Sequence, residues 1–288
     1  MGTTITVQPL AALQIVQEVF EQTEFKMSEW KEDSPLSLIN EHAEDRPVEV
    51  PQDLFHALQR SLDIADMTSG AFDPTWASLW DVWKFNGSAI VPTQKQIDAL
   101  LPFVNWKHVI LDQEKNSVYL RFGNIGLGGI AKGVALDKAR KVLLQNGFED
   151  FMIVAGGQVL AHGSKNGKPW RVGIRDPEKE QTNYFAVLEL TDTCVSTSGN
   201  YEKFFIKDDI RYHHIIDPKT GYPARGVQSV TVISQDATLA DALSTALFVM
   251  GVEDGITLIE SLSNVEALFI DENNVIHQSS GFTFSSLF

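Results

Sequence analysis

The sequence has a single cysteine, Cys194, in 288 residues. One thiol excludes an intramolecular disulfide and a zinc–cysteine cluster, and it leaves the redox compartment open. Long apolar runs are also lacking: none approaches the ~20 residues needed to span a bilayer. The first residues, Met1-Gly2-Thr3-Thr4-Ile5-Thr6-Val7, have no charged n-region, apolar h-region or lipid-attachment cysteine, so the expectation is a soluble body. Positive charge is scarce, with 23 Lys and Arg against 38 Asp and Glu and a net charge of -15. A surface that acidic repels nucleic acid and anionic lipid. An anionic substrate must then be met by local cations, a metal or backbone N–H groups. Low-complexity segments, long linkers and internal repeats are absent as well.

What is present is ordinary globular material, 43% hydrophobic and 21% charged. Thr3 to Val7 alternates like a strand, and helical spacing runs from Leu10 to Met27. Pro51 opens a second helix that stops at Ser69-Gly70. Trp76, Trp80 and Trp83 form a stripe that reads first as core. A hairpin is expected over Val109 to Phe122, and a helix from Val134 to Gln145. Strands are expected at Phe151–Val154, Arg171–Ile174, Phe185–Leu190, His213–Ile216 and Val227–Ser234. A helix spans Thr238 to Met250, and the tail alternates from Val265 to Phe284. Hairpins beside segregated helices indicate an α+β fold.

Five blocks could carry chemistry. Gly126-Leu127-Gly128-Gly129-Ile130-Ala131-Lys132-Gly133 lies between strand and helix, where glycines admit a ligand and helix N–H groups attract phosphate. It also fits a dinucleotide fingerprint or a plain tight turn. Ala155-Gly156-Gly157-Gln158 is a turn whose Gln158 can donate and accept. Ser196-Thr197-Ser198-Gly199-Asn200-Tyr201 reads as a hydroxyl-rich polar loop. His214 stands three residues before Asp217, a pairing suited to a general base or phosphate contact as well as to a structural turn. Asp241 and Thr245 share one face of an apolar helix. That set suits magnesium or calcium, and equally an Asp stabilised by its own helix dipole.

In this order, together with Ser34 to Asn40 and Gly70-Ala71-Phe72-Asp73-Pro74-Thr75, the blocks resemble the ApbE family of FAD:protein FMN transferases. The resemblance runs from Met1-Gly2-Thr3 to Ala240-Asp241-Ala242-Leu243-Ser244-Thr245-Ala246. It implies a duplicated T-fold-like architecture as a single domain over 1–288, with the site between its halves. It also implies FAD as substrate, Mg2+ at the pyrophosphate and transfer of FMN to a threonine or serine of an acceptor, with release of AMP.

By resemblance the metal is held by Asp241, Thr245 and the carbonyl near Ala131, and Trp30 stacks on the flavin. Asn40, Gly129, Ala131, Lys132, Gly156, Gly157, Gln158, Ser198 and His214 line the nucleotide site. His214, Lys132 and Asp217 are the catalytic candidates, with Asp217 orienting His214. The acceptors would be flavin-carrying subunits of membrane redox complexes, and the compartment the periplasmic face of the envelope, the cytoplasm being the alternative. An FAD pyrophosphatase or a non-catalytic FAD-binding protein would use the same residues. The chain departs from the family pattern at Gly126 and Gln158, where acidic residues are usual, and at Val134, where an aromatic is.

Overall fold

Strand-period and helix-period segments alternate along the chain, and the computed structural model assigns them as follows for residues 3–85, 89–177 and 183–287. In chain order they are β1 (Ile5–Gln8), α1 (Leu13–Met27), α2 (Pro35–His42), β2 (Val48–Glu49), α3 (Gln52–Met67) and α4 (Gln94–Leu100). Then come β3 (Val109–Asp112), β4 (Ser117–Leu120), α5 (Ala131–Gln145), β5 (Phe151–Ala155), β6 (Gln158–His162) and β7 (Trp170–Arg175). Next are β8 (Tyr184–Leu190), β9 (Thr193–Gly199), β10 (Phe204–Lys207), β11 (Ile210–His213), β12 (Val227–Ser234) and α6 (Ala237–Met250). The chain closes with α7 (Val252–Glu260), β13 (Val265–Asp271), β14 (Ile276–Gln278) and β15 (Ser285–Ser286). All sheet pairings are antiparallel and helices are segregated from them, so the fold is α+β. Met1 and Gly2 of the N-terminal block lie outside the described residues.

The chain divides into two compact units. The first comprises Met1–Gln22, Lys132–Gly199 and Gly226–Phe288. It is built on a seven-stranded sheet in the order β1-β5-β6-β9-β12-β13-β14. Side chains alternate across this sheet. Ile153, Leu160 and Cys194 pack with Val16, Phe20, Leu136 and Leu143 of α1 and α5, while Ala161, Val195 and Leu268 pack with Trp170 and Leu188 of β7 and β8. Both faces are therefore covered, and each fully buried Leu or Phe contributes ~2–3 kcal/mol. Cys194 is part of this core, and burial pushes its thiol up to about 12, so it is no nucleophile.

The second unit comprises Thr23–Ala131 and Asn200–Arg225. It carries the small sheets β2-β4-β3 and β10-β11. Leu79, Trp83, Ile97 and Ile216 form its apolar centre with Phe205 and Tyr222. Of the tryptophan stripe only Trp83 is fully buried, its indole N–H donating to Gly221 O at 2.8 Å. Trp76 and Trp80 are half-buried and meet edge to face at 5.0 Å.

Three expectations are corrected. Ser196 to Gly199 is not a loop but the end of β9, in the middle of the large sheet. Helix α5 starts at Ala131, three residues early, because Gly133 belongs to its first turn: a Cβ there would stand 2.3 Å from Ala237 O. This glycine serves close helix–helix approach rather than a loop. The strand expected at His213–Ile216 is Ile210–His213, and Ile216 instead makes an isolated antiparallel bridge with Pro223 across the turn from Asp217 to Gly221.

Candidate functional site

In antiparallel pairs, directly opposite residues point to one face. Gln158 lies opposite Ser196, Ser196 opposite Val232, and Ser198 opposite Val230. Gln158, Ser196 and Ser198 thus share the face that carries Leu160 and Cys194, the helix side. Thr197 points the other way and bonds to Thr231 at 3.0 Å. Helix α6 lies on that helix side. It starts at Asp236, whose carboxylate accepts from Leu239 N–H at 2.8 Å. A second carboxylate, Asp137 of α5, accepts from the N–H groups of Ala237 and Thr238 at 3.2 and 2.8 Å. Two acceptors at a helix N-terminus fix its position.

One turn along α6, Asp241 is buried, with 2% of its surface exposed. Its Oδ2 accepts from Gly133 N–H at 2.9 Å and its Oδ1 from Gln158 Nε2 at 2.8 Å, with Lys132 Nζ 3.9 Å from Oδ1. Burial raises its pKa, against the pull of Lys132 and of the Gly133 and Gln158 donors. The α5 N-terminus was expected to face phosphate, yet one of its N–H groups is held by this carboxylate. The same helix end that would have met a ligand anion instead positions Asp241.

A chain of hydroxyls continues from there. Ser244 donates to Asp241 O at 2.8 Å and lies 3.2 Å from Ser196 and 2.8 Å from Ser198. Ser198 in turn lies 3.4 Å from Thr245 Oγ1. Because a serine has one proton, Ser244 receives from Ser196 and Ser198 while it gives to Asp241. Gln158 Nε2 also donates to Ser196 at 3.2 Å. Among the described residues no donor reaches Gln158 Oε1, which is buried.

The donor set fits a hard divalent cation. One buried carboxylate has a lone pair to spare on each oxygen, flanked by hydroxyl and amide oxygens. Among the described residues no cluster of three or more His, Cys, Asp or Glu could hold a metal.

The other predicted residues lie in the second unit, apart from Gly156 and Gly157, which form the β5–β6 turn with Gly156 at φ +64°. Asn40 donates to Ile125 O at 2.9 Å and accepts from Ile125 N–H at 2.8 Å. Its amide thereby braces the start of the glycine loop, using one of its two N–H groups and one acceptor lone pair. Trp30 is 60% exposed and meets Trp80 in an edge-type arrangement with ring centroids 4.9 Å apart. An exposed tryptophan is an uncommon surface residue and leaves a π face open. Gly129 is half-buried in the loop, and Ala131 is buried at the first position of α5. Beside the loop, Glu29 has its pKa raised by burial, opposed by its own backbone N–H and by Lys203.

His214 Nδ1 lies 3.3 Å from Lys203 O. Asp217 closes its own turn, with Oδ1 accepting from Lys219 N–H at 2.8 Å and its carbonyl from Gly221 N–H at 2.8 Å. Asp217 is thus engaged in its own turn, as an Asp before Pro218 satisfies the nearest free N–H first. Sequence reasoning missed Ser196, Ser244 and Asp137. The alternation Val195-Ser196-Thr197-Ser198 was the available signal for the first, and the i, i+3 spacing from Asp241 for the second. Asp137 had none.

A model of the ApbE family matches residues 1–269. A Treponema pallidum protein named FAD:protein FMN transferase is 35% identical over 289 residues, covering 94% of this chain and 80% of its own. A Vibrio cholerae protein of the same name is 32% identical over 251 residues, covering 85% and 75%. Among solved structures, the ApbE protein of Thermotoga maritima superposes with a TM-score of 0.89 at 37% identity, covering 97% of this chain and 94% of its own. The flavin transferase ApbE of Vibrio cholerae superposes at 0.86 and 29% identity, covering 98% and 95%. With the matched model spanning nearly the whole chain and the same antiparallel framework throughout, this chain belongs to the ApbE family.

Proposed function

We propose that the protein is an FAD:protein FMN transferase dependent on a divalent cation, magnesium by the hardness of its oxygen donors. The observation that carries this reading is the buried Asp241 carboxylate, held by Gly133 N–H and Gln158 beside the hydroxyls of Ser198 and Thr245. A carboxylate carried this deep on an apolar helix is costly unless charge is brought to it, and one lysine 3.9 Å away offsets it only in part. Asp241, Thr245 and the Ala131 carbonyl would hold the cation, which when bound neutralises charge on the diphosphate.

The reaction is a phosphoryl-type exchange. The acceptor hydroxyl oxygen forms a bond to the FMN phosphorus, the phosphoanhydride bond breaks, and AMP departs with the bridging oxygen. Lys132 adds positive charge where the leaving group gains negative charge. His214 takes the hydroxyl proton, its ring turned by the Lys203 carbonyl. Trp30 offers its open face to the isoalloxazine ring, and Asn40 keeps the glycine loop in place from behind. Flavin-carrying subunits of membrane redox complexes are the proposed acceptors.

The test is incubation with FAD, Mg2+ and an acceptor domain, followed by AMP release and acceptor mass. AMP with a mass gain of one FMN is expected. AMP without that gain would make the protein a pyrophosphatase, and neither product would leave an FAD-binding protein.

A further inference from the structure

The buried amide of Gln158 has only half of its hydrogen-bonding capacity met. Its Nε2 donates to Asp241 Oδ1 at 2.8 Å and to Ser196 Oγ at 3.2 Å. These two bonds fix which end of the amide is which, since the reversed amide would set oxygen against a carboxylate oxygen. Gln158 is 4% exposed, and among the described residues its Oε1 has no partner. A buried acceptor left unmet is destabilising, and such atoms are rare in a finished fold.

A Cβ on Gly156 would stand 4.0 Å from this oxygen and 2.7 Å from Thr3 Oγ1, and Gly156 sits at φ +64°, where a side chain is strained. A carbonyl oxygen accepts only from a donor or a cation, and phosphate supplies neither.

We infer that Gln158 is a neutral oxygen ligand of the cation held at Asp241, directly or through one bound water. The inference rests on the cation reading proposed above and adds a residue of this chain to it. With Lys132 beside the single carboxylate, the protein's own charge at the site is close to balanced. The free protein then holds a divalent cation weakly.

The alternative is an amide that only braces Asp241 through Nε2, and the two roles predict opposite signs for one substitution. Mn2+ serves as the probe, its binding followed by electron paramagnetic resonance with and without FAD, and thermal melts confirm the fold of each variant. If Oε1 is a ligand, Gln158→Glu keeps an oxygen there and adds charge, so Mn2+ binds about tenfold tighter. Gln158→Met removes it, and binding weakens about tenfold or more. If the amide only braces, Gln158→Glu sets two carboxylates together and binding weakens, which overturns the inference. Should Gln158→Met fail to fold, the sign for Gln158→Glu decides alone. Loss of binding in Asp241→Ala with indifference to both Gln158 variants would overturn this inference and leave the cation reading standing. A wild-type protein that takes up no Mn2+ under either condition would overturn both.

Discussion

Asp73 and Asp241 are both buried carboxylates whose pKa values are raised by burial, and they do different work. Asp73 is satisfied by its own neighbourhood. Its Oδ1 accepts from Thr75 N–H and Oγ1 at 2.8 and 2.6 Å, and its Oδ2 from Trp106 N–H at 3.0 Å. Those donors are backbone or a residue two positions on, so the group caps a turn and ties down a distant loop. Asp241 draws its donors from α5 and β6 instead, and is surrounded by hydroxyls and an unmet amide oxygen. A buried acid held only by backbone N–H groups and a turn neighbour is a structural fastening. One reached from several elements, with hydroxyls and an unmet amide oxygen around it, is the acid to which the proposed cation is assigned.

The largest effect that would break this contrast is on turnover. Asp241→Asn keeps the shape and removes the charge, so FMN transfer should fall about a thousandfold while the melting temperature changes little. Full turnover in that variant would erase the distinction. Gly133→Ala comes next: its methyl meets Ala237 O at 2.3 Å, and urea denaturation should show a loss of ~3 kcal/mol or more. Asp73→Ala strands the N–H groups of Thr75 and Trp106 and should cost ~3 kcal/mol, with Mn2+ affinity unchanged. A drop in Mn2+ affinity there would blur the two acids.

The pH dependence of stability provides a comparable effect from a third buried group. Burial lowers His213 to about 4 from 6.5, against the Ala224 carbonyl. Between these values the unfolded chain binds a proton that the folded chain does not. Stability therefore falls as pH drops from 6.5 to 4, by ~3 kcal/mol, and the slope ends below 4. His213→Gln should flatten that part of a denaturation-versus-pH curve. The smallest effect is expected for Asn40→Ala, ~1–2 kcal/mol with a raised KM for FAD, since the two bonds to Ile125 are lost.

The sequence by itself determined a good deal. Period and punctuation placed β12 at Val227–Ser234 and set α6 to within one residue at its start. Five short blocks in order pointed to a family, and the helical spacing of Asp241 and Thr245 put both on one face of α6. Local rules suffice for these, because a helix face and a turn are written within a few residues. Tertiary structure alone decided the rest. It made Ser196 and Ser198 members of a sheet face, set Gly133 under α6, and drew Asp137 to a helix end a hundred residues away. It engaged Asn40 with Ile125 and Asp217 with its own turn, leaving Trp30 open. The physical reason is that hydrogen-bond capacity is finite. Which polar groups remain available to a ligand depends on what the fold has already claimed, and that is fixed only when distant segments meet.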